Sequence, residues 1–149
     1  MSKFTRSFFM SYSAKKIFNL VNDVNSYSLF LPHCTHSQIL TYHKNEMIAA
    51  IDISQYNLSK TFVTHNTFQE YKTIHMKLIR GPLHQLIGHW LFRSLNKDSC
   101  EIEFYIELEF ANQFLEIFFE QVLNEFAEKI FIAFSKRADE VYNNLYNKY

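Results

Sequence analysis

Side chains able to do chemistry are concentrated in a few places along this 149-residue chain. His33-Cys34-Thr35-His36 sets two imidazoles around a thiol, the one local cluster of metal-capable groups. A closed zinc site takes four such ligands, and no second Cys or His pair follows at a fitting distance. The expectation is a loop whose cysteine packs inward while His33 and His36 meet solvent. His65, His75, His84 and His89 are scattered over separate strands, so no metal ligand set is nominated.

Glu101, Glu103, Glu107 and Glu109 share one face of a strand and mimic the paired carboxylates of acid/base catalysis. They alternate with Ile102, Phe104, Ile106 and Leu108, however, and therefore lie on the wet side. Nothing there supplies the burial that tunes a carboxylate for catalysis. Asp52, within an otherwise apolar strand, is the carboxylate better placed for an unusual environment, with outward projection as its default. The stretch Gly81-Pro82 to Phe92 is the most individual: Gly88 inside a strand marks a bend or close approach, and Trp90 beside it suits a pocket wall or a core. No catalytic residue is nominated.

Several function classes are excluded by composition. Only two glycines occur, which removes the phosphate-cradling loops GxGxxG and GxxxxGK[ST]. No GxSxG elbow is present, so an α/β-type hydrolase has no nucleophile position. Fifteen basic and fifteen acidic side chains cancel, leaving no global field to draw the chain onto DNA or an anionic membrane, and at most a peripheral membrane contact is expected. Cys34 and Cys100 stand far apart without CxxC spacing, as reduced thiols of a cytoplasmic protein do; a single bridge is the alternative. Phe8-Phe9-Met10 is too short for a signal-peptide core, and no run approaches about 18 apolar residues, so neither export nor membrane insertion is expected. Sixteen Phe and nine Tyr follow from AT-rich codons as readily as from an aromatic site, so their placement carries more weight than their number.

The elements that must position these groups read as one domain over residues 1–149. A strand over Lys3–Met10 leads to Ser13 as a helix N-cap, with Ile17, Phe18, Leu20 and Val21 on the buried side. A second short helical segment covers Val24–Phe30, because Leu31-Pro32 forces an extended exit. Period-two patterning then predicts strands at Gln38–His43, Met47–Ile53, Leu58–Thr67, Thr73–Ile79, Gln85–Ser94 and Cys100–Phe110. From Asn112 to about Asn144 the period is helical: Leu115, Phe119, Val122, Phe126, Ile130, Ala133, Arg137 and Val141. Phe114, Ile117, Phe118 and Leu123 flank that stripe, so the helix is apolar on more sides than one sheet face covers. An internal hollow beside it is expected.

Spaced residues resemble the coenzyme Q-binding branch of the START-like superfamily, and within it the bacterial ribosome association toxin (RatA) family. They run nearly end to end: Val21-Asn22-Asp23, Tyr27, Phe30-Leu31-Pro32 and Cys34; Lys60-Thr61-Phe62 and Thr64; Gly81-Pro82, Leu86, Gly88, Trp90 and Phe92; Cys100, Ile102-Glu103-Phe104 and Glu109-Phe110; Ala133-Phe134, Arg137-Ala138 and Val141-Tyr142. The resemblance implies an α+β helix-grip fold, a seven-stranded antiparallel sheet wrapped around a long C-terminal helix with two short helices after strand 1. It further implies non-enzymatic binding of ubiquinone or a similar polyprenyl lipid in support of respiration. For the toxin family it implies association with the large (50S) ribosomal subunit, blocking 70S formation. Lys15 and Lys16, or Lys136 and Arg137, are the local basic residues available for such a contact. A cyclase or aromatase is the third reading, since helix-grip proteins include enzymes. Trp90, Phe104, Phe118, Val122, Phe126 and Ile130 are the expected ligand-binding residues.

Overall fold

The computed structural model describes residues 2–55 and 57–143. Strand β1 (Ser2–Met10) is followed by helix α1 (Ala14–Asn22) and a 3-10 segment (Val24–Leu29). Six strands come next: β2 (Cys34–His43), β3 (Glu46–Gln55), β4 (Leu58–Gln69), β5 (Thr73–Arg80), β6 (Leu83–Asn96) and β7 (Ser99–Phe110). Helix α2 (Gln113–Tyr142) closes the fold. The expected helix end near Asn144 lies outside the described residues. Each expected element is present, most of the strands a few residues longer than their hydrophobic pattern, because ladder bonds continue past the last patterned side chain.

All seven strands form one antiparallel sheet in the order β1-β7-β6-β5-β4-β3-β2. The sheet is thus a simple meander except that β1 pairs with β7, and the consecutive strands β1 and β2 occupy opposite edges. α2 lies against its inner face, and α1 packs on the second half of α2. This is the helix-grip arrangement.

Local chemistry explains the joints. Ser13 caps α1, its Oγ accepting from the Lys16 amide, and Asn112 caps α2 by accepting from the Leu115 amide. Turns that glycine would ordinarily make are made here by Lys44, Asn57 and Tyr71 in the left-handed region. Tyr71 is held there by packing, its ring edge-on to Phe18 and beneath Lys15. Gly88 is required by close approach: a Cβ there would stand 2.7 Å from the Tyr105 carbonyl oxygen. Without a side chain, β6 lets Met76 and Ile106 settle over it from the flanking strands.

The alternation of β7 is realised as read. Cys100, Ile102, Phe104, Ile106 and Leu108 are buried. On the outer face Glu101 pairs with Arg93, Glu103 with His89 and Glu107 with Lys3, a solvated charge network that offers no catalytic pair. Cys34 and Cys100 are both buried and free. Among the described residues no helix is long and apolar enough to cross a membrane.

Candidate functional site: an apolar cavity beneath the long helix

A cavity of about 160 Å³ lies between the inner face of the sheet and α2. Its sheet wall comes from β3, β4, β5, β6 and β7, through residues such as Ile51, Phe62, Met76, Leu86, Trp90 and Phe104. Its roof is the stripe Phe119, Val122, Leu123, Phe126, Ile130 and Phe134 of α2. The reason is geometric: period two in the strands and period 3.6 in the helix bring two apolar faces together, and bulky rings on both sides stop them from meshing completely.

Five of the six residues nominated from sequence line this space: Trp90, Phe104, Val122, Phe126 and Ile130. Phe118 does not. Its ring is edge-on to Phe119 and only half-buried, because it sits about 100° around the helix from the lining position 119. Aromatic contacts organise the far end, where Phe134, 0 % exposed, is edge-on to Trp90, Tyr27 and Phe30.

Four lining side chains carry polar atoms: Tyr27, Thr64, Asn66 and Trp90. The Tyr27 hydroxyl donates to the Val21 carbonyl oxygen, and burial, then the negative charge of Asp23, pushes its ionisation well above the ordinary tyrosine value. It is therefore a neutral strut that fixes α1 to the 3-10 segment. The Thr64 hydroxyl donates to the Asn66 side-chain oxygen at 2.8 Å. Thr64 belongs to the residues that carry the family resemblance but is not nominated for the site, and Asn66 does not stand out in sequence, yet period two from Phe62 and Phe68 places both on the dry face.

The histidine cluster differs from the expected solvated loop. Cys34 does pack inward, and burial, then Asp52, pushes its thiol up to about 11. His36 is exposed, 3.5 Å from Asp52. His33, however, is half-buried with φ 65°, its Nδ1 3.3 Å from the Ser54 carbonyl oxygen and its Nε2 2.7 Å from Glu125 of α2. Sequence gave no distance between these two, 92 residues apart. Asp52 projects outward and accepts from the Thr61 hydroxyl. Among the described residues no three His, Cys, Asp or Glu side chains gather in a way that would hold a metal ion.

A second depression, an open groove, is lined by Lys15, Lys72, Arg93 and Lys97 with Glu70 and Tyr71. It collects basic side chains from α1, the β4–β5 turn, β6 and the β6–β7 turn that no sequence pattern connects. The alternative basic pair is weaker: Arg137 is half-buried against the Phe30 ring and paired with Glu140.

Comparison with known proteins fits this geometry. Residues 10–135 match the family model described as polyketide cyclase / dehydrase and lipid transport. The ribosome association toxin RatA of Escherichia coli strain K12 is 43% identical over 143 residues, covering 96% of this chain and 90% of that protein. The mitochondrial coenzyme Q-binding protein COQ10 of Dictyostelium discoideum is 26% identical over 143 residues, covering 91% of this chain and 68% of that protein. Among solved structures, the Zhui aromatase/cyclase of Streptomyces sp. R1128 superposes with a TM-score of 0.83 at 11% identity, covering 93% of this chain and 94% of that one, a likeness of fold alone. With its helix-grip fold, its cavity and these matches, the chain belongs to the START-like polyketide cyclase / dehydrase and lipid transport family.

Proposed function

We propose that this protein is a non-enzymatic, cytoplasmic binding protein whose cavity takes the head of ubiquinone or a similar polyprenyl lipid, in support of respiration. The observation that carries the reading is the cavity itself, walled almost wholly by aliphatic and aromatic side chains under α2. Burying apolar ligand surface there contributes about 25 cal/mol per Å². Among the described residues no acid/base pair lines the space, which favours holding over converting a ligand. The volume limits what enters: an apolar void of about 150 Å³ takes benzene, whereas drug-sized ligands occupy about 300–1,000 Å³. A quinone ring fits the closed form. The prenyl tail leaves past the first turns of α2, where Phe114 is 69% exposed and Ile117 is also exposed. Quinones extracted from the purified protein test the reading. Val122→Lys puts a charge into the roof and is expected to abolish co-purification; quinone retained by that variant counts against this cavity.

A second reading is association with the large ribosomal subunit, supported by the 43% identity to a ribosome association toxin and by the basic groove. Lys15, Lys72 and Lys97 set positive charge around Tyr71, a combination suited to RNA phosphates and a stacked base. Gradient sedimentation after overexpression decides it. Accumulation of free subunits with the native protein, lost on Lys15→Glu/Lys72→Glu/Lys97→Glu, supports the role; unchanged ribosome profiles remove it.

A further inference from the structure

We infer that Asn66, oriented by Thr64, is the recognition point of the cavity and reads a carbonyl oxygen on an otherwise apolar, uncharged ligand. This rests on the ligand-binding reading above and names the chemical class of its ligand. Asn66 is 5% exposed, on the inner face of β4, and lines the cavity wall. Its side-chain oxygen is committed to the Thr64 hydroxyl at 2.8 Å. In this orientation the NH₂ group is the free end, and among the described residues it has no hydrogen-bond partner. An amide N–H on a cavity wall that no protein acceptor engages is open to a ligand acceptor, which is its natural partner there.

The other polar groups on the wall narrow the choice. Tyr27 is occupied by the Val21 carbonyl. Trp90 offers an indole N–H, a donor only, and it too has no partner among the described residues. The uncommitted hydrogens of the cavity therefore belong to donors, and they call for an acceptor. A carboxylate is disfavoured, because among the described residues no cation lines the wall to offset the cost of burying its charge. A ketone or quinone carbonyl brings an acceptor without charge and without a hydrogen of its own to satisfy.

Two probes of equal ring shape isolate this contact: duroquinone, which has two carbonyls and no ring position open to thiols, and durene, its four-methyl hydrocarbon counterpart. Affinities are measured by calorimetry on the full chain. The native protein is expected to prefer duroquinone, and Asn66→Leu to lower that preference about tenfold while leaving durene binding within twofold. Thr64→Val, which frees the amide to rotate, lowers it less. The bound duroquinone carbonyl stretch in the native protein gives a variant-independent check, lying below its position in hexane when hydrogen-bonded. A carbonyl stretch at the hexane position, or a native preference that Asn66→Leu leaves intact, overturns the inference while durene binding keeps the cavity reading standing. If the native protein binds neither probe, the cavity reading fails and takes this inference with it.

Discussion

The imidazole of His33 spans from the Ser54 carbonyl at the end of β3 to Glu125 in the middle of α2. The second half of α2 has other polar anchors, Tyr12 to Asp139 and the Tyr142 hydroxyl to the Lys16 carbonyl. Among the described residues, the first half is joined to the sheet side by the His33 contact and by apolar packing over the cavity. Removing it with Glu125→Ala is expected to speed amide exchange in residues 113–126 about tenfold or less, with residues 130–140 unchanged. Uniform exchange across both halves would show that the contact does not restrain the helix.

Gly88→Ala brings a methyl group to 2.7 Å from the Tyr105 carbonyl oxygen, and the neighbouring atom is backbone, which cannot turn aside. The β6–β7 pairing must part, at about 1–3 kcal/mol. Urea denaturation measures this, and a loss under about 0.5 kcal/mol would mean that the strands yield freely.

Phe134→Ala removes a ring that is 0% exposed and edge-on to three others. Stability is expected to fall by about 3–5 kcal/mol. Because Phe134 also lines the cavity, the variant that still folds should accept a bulkier apolar probe than the native protein. Equal probe size limits in the two proteins would place the ring in the core alone.

Burial raises the Cys34 and Cys100 thiols from 9.0 to about 11 each, with Asp52 adding to Cys34. The folded state therefore keeps two protons that the unfolded chain releases above about pH 9. The sign follows: their contribution to stability is full below pH 9 and is lost as pH rises toward 11. Thermal unfolding measured between pH 8.5 and 11 should show a falling midpoint, and Cys100→Ala should flatten the slope. A midpoint independent of pH over that window would contradict the raised values.

Sequence legibility differed between fold and site. The alternation from Ile102 to Phe110 and the stripe from Leu115 to Ile130 predicted β7 and α2, since each pattern spans enough residues to choose one period over the other. The cavity roof was readable for the same reason, and Phe118 failed because flanking residues of a broad apolar helix differ from lining ones only by rotation. Thr64 is part of the family resemblance and Asn66 is not, and neither is a nominated site residue, although their parity with Phe62 marks both as inward. The His33 contact to Glu125 and the basic groove around Tyr71 were not legible, because each joins segments that only the closed sheet brings near one another.

The placement of β1 beside β7, pairing Ser2 with Leu108, also governs how the chain reaches this state. During synthesis the first strand emerges without its partner, which follows only after the five hairpin-linked strands between Cys34 and Asn96 have been made. Those hairpins pair locally and early, whereas closing β1 onto β7 spans most of the chain and is slow. The newborn domain thus carries an unpaired edge, with Phe8 and Phe9 on it, until β7 has been made, and that interval is when a chaperone has most to guard.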